Sequence, residues 1–114
     1  MKLACPLIFL AALGSAMSAL ACDAPAEIDI PSGDEATLDE MLAAQTGVRE
    51  FIAAMEEYLA CMDGEIEALA EDTPEEDRTL MVEQYNSGVD QMEEVAAAFN
   101  ESRQQFQDAQ SAED

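Results

Sequence analysis

The sequence predicts an all-α protein: one long antiparallel helical hairpin, preceded by an extended arm folded back along its first helix. Three observations carry that expectation. Apolar residues recur at alternating steps of three and four through two long stretches. Each stretch opens on a helix-capping pattern, and a proline-marked break of only a few residues separates the two.

The first helix is expected over residues 38–70. Thr37-Leu38-Asp39-Glu40 reads as a capping box, in which the threonine hydroxyl and the glutamate carboxylate each take up a free backbone N–H. From there Leu38, Met41, Gln45, Val48, Ile52, Met55, Leu59, Met62, Ile66 and Leu69 form a seam that only Gln45 interrupts. Such spacing lays one apolar stripe along about nine turns. Gly47 and Gly64 weaken the helix locally, by up to about 1 kcal/mol each relative to alanine.

Glu71-Asp72-Thr73-Pro74 ends the pattern. Pro74 cannot continue a helix arriving from its N-terminal side, but it suits a first helical position. Thr73-Pro74-Glu75-Glu76 therefore reads as a second capping box, with acids at the positive end of the helix dipole. The second helix is expected over residues 74–108, with a seam of Met81, Tyr85, Gly88, Met92, Val95, Phe99, Ser102 and Phe106, thickened by Val82, Val89 and Ala96. This seam is less pure than the first. The short connection forces the helices antiparallel, each roughly 50 Å long. A lone hairpin buries each seam on one side only, so the remaining apolar surface needs cover. The candidates are the segment 22–36, a second copy closing a four-helix bundle as a homodimer, or an unknown protein partner.

Residues 1–21 read as a secretory signal peptide rather than as part of the fold. Met1-Lys2 supplies a positive start, Leu3 to Leu13 an apolar run, and Ala19-Leu20-Ala21 a small-residue cleavage site. The run is too short to span a bilayer, which takes about 20 apolar residues. This disfavours the alternative of an N-terminal membrane anchor. Cleavage after Ala21 gives a periplasmic or secreted protein made of an extended arm (22–36), the hairpin domain (37–110) and a disordered tail (111–114).

The whole chain has 26 acidic residues against four basic ones and no histidine, for a net charge of −22. Once Lys2 leaves with the leader, Arg49, Arg78 and Arg103 are the only bases. Such a surface repels phosphate backbones and anionic headgroups, which disfavours nucleic-acid and membrane-surface binding. It is compatible with a basic partner, with cation association, with solubility alone, or with a high-salt habitat. Charge of this size also favours disorder, but the apolar residues are in register rather than scattered, and that decides for a folded chain.

Cys5 belongs to the leader, which leaves Cys22 and Cys61 in a compartment where disulfides persist. The reach is sufficient. From Leu38 to Cys61 the helix advances about 35 Å, and the arm from Cys22 to Leu38 can stretch to about 53 Å. Pro25 and Pro31 suit an extended arm, Pro31-Ser32-Gly33 a turn, and Ile28 and Ile30 can face the hairpin while Glu27 and Asp29 face water. A bridge between Cys22 and Cys61 would stabilise the fold by roughly 3–4 kcal/mol on the chain-entropy model. The competing reading makes Cys22 a lipidation site directly after the cleavage point. Ala19 and Leu20 stand in the reverse of the order a lipoprotein signal wants, which favours the disulfide.

No catalytic or cofactor motif is present. The absence of histidine removes the usual zinc sites, the Glu-x-x-His di-iron site and histidine-based triads. Asp63-Gly64-Glu65 lacks the alternating oxygen ligands of a calcium loop. Met41, Met55, Met62, Met81 and Met92 all sit on the seams, where packing accounts for them better than copper ligation. Glu56-Glu57, Glu75-Glu76 and Glu93-Glu94 read as surface charge. Gln45 and Arg78 are the polar seam residues; they lie too far apart to pair within one hairpin, and Gln45 reads as a register device.

The run Cys22-Asp23-Ala24-Pro25, Ile30-Pro31-Ser32-Gly33, Ala36-Thr37, Glu40-Met41, Ala44-Gln45 and Tyr58-Leu59-Ala60-Cys61, continued by Asp90-Gln91-Met92-Glu93 and Phe99-Asn100, resembles a family of small exported proteobacterial helical proteins. The resemblance implies that Cys22 and Cys61 belong together and carries no activity or functional residue with it. The functional expectation is an exported acidic helical interaction module, non-enzymatic, without cofactor, metal or small-molecule substrate. The alternatives are a cation-sequestering acidic protein and an envelope protein anchored to a membrane through a lipid on Cys22.

Overall fold

The computed structural model describes residues 22–113; residues 1–21, where the leader and its cleavage site are expected, lie outside the described residues. Two helices, α1 (Leu38–Glu67) and α2 (Glu75–Ala112), pack against each other as a hairpin, and the arm 22–36 runs back beside them.

At the start of α1 the Thr37 hydroxyl accepts from the Glu40 N–H at 3.1 Å, the first half of the expected capping box. The helix ends at Glu67, three residues short of the expected 70. Gly64 lies in its last turn, which carries no base, and Glu65, Glu67, Glu71 and Asp72 crowd the negative end of its dipole. Ala68 N–H closes the helix on the Gly64 carbonyl at 3.0 Å. The Arg78 guanidinium reaches back to the Ala70 carbonyl at 3.5 Å, so this polar seam residue ties the connection to α2.

The second cap differs from expectation. Pro74 is itself the N-cap, in extended geometry (φ −54°, ψ 138°), and no side chain caps the helix. Thr73 instead donates its backbone N–H to the Ala70 carbonyl at 3.0 Å, within the turn. Glu75, Glu76 and Asp77 still stand at the positive end of the dipole. At the other end α2 continues past 108 to Ala112, so residues 111–112 are helical and not part of a disordered tail. Good helix formers carry it there, with Gln104 bonded to Asp108 at 3.0 Å and the Ser111 hydroxyl to the Gln107 carbonyl at 3.0 Å.

The core lies on α1. Met41, Val48, Phe51, Met55, Leu59 and Met62 are buried, and Met55 is wholly enclosed. Phe51 takes a core place that the seam assigned to Ile52, which is half-buried. Both fit a step of three or four between Val48 and Met55. The larger side chain turns to the flank where Ile28 of the arm joins the cluster of Phe51, Met55 and Leu59.

The buried residues of α2 are the two that made its seam look impure, Gly88 and Ser102. A Cβ at Gly88 would stand 3.0 Å from Leu59 Cδ2 and 3.2 Å from Met55 Sδ, so glycine lets the helices approach there. Ser102 Oγ lies 3.5 Å from Met41 Sδ and donates at 2.6 Å to the Pro31 carbonyl of the arm. The same number of residues separates Met41 from Met55 as separates Gly88 from Ser102, so the two helices run in register.

The turn at Pro31-Ser32-Gly33 docks on α2. Gly33 N–H donates to Gln105 Oε1 at 3.1 Å. A Cβ at Gly33 would overlap the Ser102 carbonyl oxygen and stand 2.7 Å from its carbon and 2.8 Å from Phe106 N. These are backbone atoms in mid-helix, and no rotamer change relieves the overlap. Ser32 O then accepts from Ala36 N–H at 3.0 Å and the chain enters α1.

Gly33 and Gly47 separate these effects. Gly33→Ala is expected to lower stability by about 1–3 kcal/mol or more through overpacking, while the helical circular-dichroism signal stays unchanged. Gly47→Ala, where a Cβ meets nothing within 4 Å, should raise stability by up to about 1 kcal/mol. Urea unfolding of both variants checks the pair; a Gly33→Ala protein as stable as the wild type would mean that the turn is not docked as described.

Candidate functional site

The arm brings Cys22 to Cys61, and the two sulfurs form a disulfide across a Cα–Cα distance of 5.7 Å. A sulfur so engaged is not free to carry a lipid, so the bridge and the lipid-anchored alternative exclude one another. A carboxylate oxygen of Glu65 lies within 4.8 Å of both sulfurs. Sulfurs bonded to each other are not thiolate ligands, so this trio is not a metal centre while the bridge is intact.

Between the bridge and the docked turn the arm is extended, and its alternation sorts its side chains. Ile28 and Ile30 are half-buried, whereas Glu27 and Asp29 are exposed. The arm stands off α2, and a half-open furrow of about 430 Å³ separates them. Ile28 and Ile30 line it from the arm, Phe51 from α1, and Val95 and Ala98 from α2. Polar groups stand along it: Glu27 on the arm, Glu94 and Gln91 on α2. Gln91 also lines a second hollow of about 320 Å³, which continues toward Cys22 past Gly88, Ser87 and Gln84. The two hollows share Gln91 as a lining residue.

The structure distributes the sequence candidates as follows. Met41, Met55 and Met62 are buried and Met81 and Met92 half-buried, all along the helix interface and not gathered at one point. Glu56, Glu57, Glu75, Glu76 and Glu93 are exposed. Glu94 is exposed as well, as expected of surface charge, and it also borders the furrow. Asp63 and Gly64 are exposed, and Gln45 is half-buried on α1. The furrow itself is absent from any sequence pattern, because three separate segments form it. The one available signal was the alternation Glu27-Ile28-Asp29-Ile30.

No protein-family model, no curated protein and no solved structure matches this chain. Among the described residues, no helix is long and apolar enough to cross a membrane.

The bridge pins the arm, while the seams hold the helices. Cys61→Ser is accordingly expected to lower the melting temperature and expose Ile28 and Ile30 to solvent, with helix content nearly unchanged. Thermal unfolding with dye binding measures this, and thiol titration of the unreduced wild type without residues 1–21, which carry Cys5, should find no free thiol. A large loss of helix in the variant would show that the hairpin depends on the bridge.

Proposed function

We propose that this chain is an exported, acidic, helical interaction module and not an enzyme. The observation that carries the reading is the half-open furrow: the arm covers part of the core within one chain, yet leaves a furrow of mixed apolar and polar side chains with carboxylates along it. Leu38, Leu42, Leu80 and Val82 add exposed apolar positions on the helices, at 59%, 52%, 54% and 40% exposure. Export is supported by the leader-like residues 1–21, by the disulfide, and by the resemblance to small exported proteins. The partner is a protein, either of another kind or a second copy; nucleic acid and anionic membrane are disfavoured by the charge.

A photo-cross-linker placed at Gln91 or at Leu42 in the exported protein tests the reading. A discrete adduct with one protein is the expected result; no adduct from either face, with a monomer mass by light scattering, would overturn it. A cation-sequestering role is the second reading, favoured by Asp90, Glu93 and Glu94 standing together along α2. Calorimetry with Ca²⁺ at physiological salt separates the two. Weak, salt-like screening is expected, whereas saturable stoichiometric binding would favour sequestration.

Charge repulsion opposes the compact state in both readings. Stability is expected to rise as salt goes from near zero to about 0.15 M, because screening relieves repulsion among the acids. Denaturant midpoints at the two salt levels check the direction.

A further inference from the structure

The furrow combines three properties that together select a kind of ligand. Five of its eight lining residues are apolar, with Ile28, Ile30, Phe51 and Val95 as the larger side chains. Carboxylates border it on both long sides, Glu27 from the arm and Glu94 from α2, within a chain of net charge −22. One of its walls is the extended segment 22–30, none of whose backbone groups makes a hydrogen bond to another described residue; the Pro31 carbonyl that follows is taken by Ser102. Pro25 and Pro31 bracket the stretch Ala26–Ile30, which keeps its N–H and C=O groups. An extended segment with free donors and acceptors is a template for strand addition.

We propose that the furrow takes an extended, basic, amphipathic peptide segment of a partner protein, laid alongside Ala26–Ile30. In an extended peptide, side chains alternate between two faces. Apolar residues of one face enter the furrow over Ile28, Phe51 and Val95, and lysines or arginines of the other meet Glu27 and Glu94. Burial of the apolar side chains supplies most of the affinity. The carboxylates supply sign selection and a faster encounter, since an exposed ion pair contributes little by itself. This proposal rests on the interaction-module reading and adds the site, the conformation and the charge of the partner segment.

Synthetic peptides and the exported, oxidised protein test it, by fluorescence anisotropy at about 0.15 M salt, where long-range charge effects are screened. The probes are a labelled alternating Lys/Val peptide, a Lys/Ser peptide of equal charge, and an Asp/Val peptide of opposite charge. The Lys/Val peptide is expected to bind saturably and one-to-one, at least tenfold more tightly than either control. Ala98→Trp puts an indole into the furrow from an exposed position on α2, and should weaken binding at least tenfold with an unchanged melting temperature. Glu27→Gln with Glu94→Gln should weaken the Lys/Val peptide and narrow its advantage over neutral analogues. The proposal is overturned if the Lys/Val peptide does not bind, if the Lys/Ser peptide binds equally well, or if Ala98→Trp leaves binding intact. A partner cross-linked through Leu42 and not Gln91 would also overturn it, while leaving the interaction module standing. Failure of both readings requires that neither cross-linker position yields an adduct.

Discussion

A two-helix hairpin has one apolar interface and two open flanks, and here one flank is closed by an arm that is anchored at both ends. At one end the anchor is covalent, Cys22 to Cys61. At the other it is steric and polar: Gly33 lies against the backbone of α2, and Ser102 holds the Pro31 carbonyl. An extended segment has no hydrogen bonds of its own to hold its shape. Fixing both ends restricts the residues between them, and only then do Ile28 and Ile30 have a defined place beside Phe51. The furrow beside α2 depends on that restriction, as does the cover that Ile28 gives the α1 core.

The same restriction explains why the second seam is built from unlike residues. α2 must receive two neighbours at different depths. Against α1 it presents Gly88, where the side chains of Met55, Tyr58 and Leu59 come close. Against the turn it presents Ser102, a small polar residue whose hydroxyl satisfies a carbonyl that the docked turn would otherwise leave without a partner. Larger apolar residues at these positions would strengthen a simple coiled-coil stripe and would push both neighbours away. The chain sets 26 acids against four bases, and the described acids are exposed except for half-buried Glu65. Their mutual repulsion favours neither helix nor arm over the other; it makes the shared core and the covalent anchor the groups that hold the chain together.

Much of this architecture was legible in the residues. The alternating steps of three and four placed both helices, Pro74 placed the break, and Thr37 placed the first cap. Errors gathered where two local signals compete. Leu69 continues the first seam, but the dipole and the acids after Gly64 end the helix earlier. Thr73 has the look of a cap, but Pro74 holds the extended geometry of the N-cap itself. Phe51 and Ile52 both fit the period, and only the presence of a third segment decides between them. Glu93 and Glu94 are both exposed as expected, and nothing local marks Glu94 as the one that borders the furrow.

The sequence by itself determined the helices, their antiparallel order and the eligibility of Cys22 and Cys61 to pair, because each follows from periodicity, from a breaking residue or from chain reach. These are properties of near neighbours or of contour length. Tertiary structure alone decided which flank the arm covers, which glycine is indispensable to that cover, and where a furrow is left open. Gly33 and Gly47 look alike in the chain; a helix backbone stands against one and nothing stands against the other. That difference arises from residues some seventy positions away, and no local pattern encodes it.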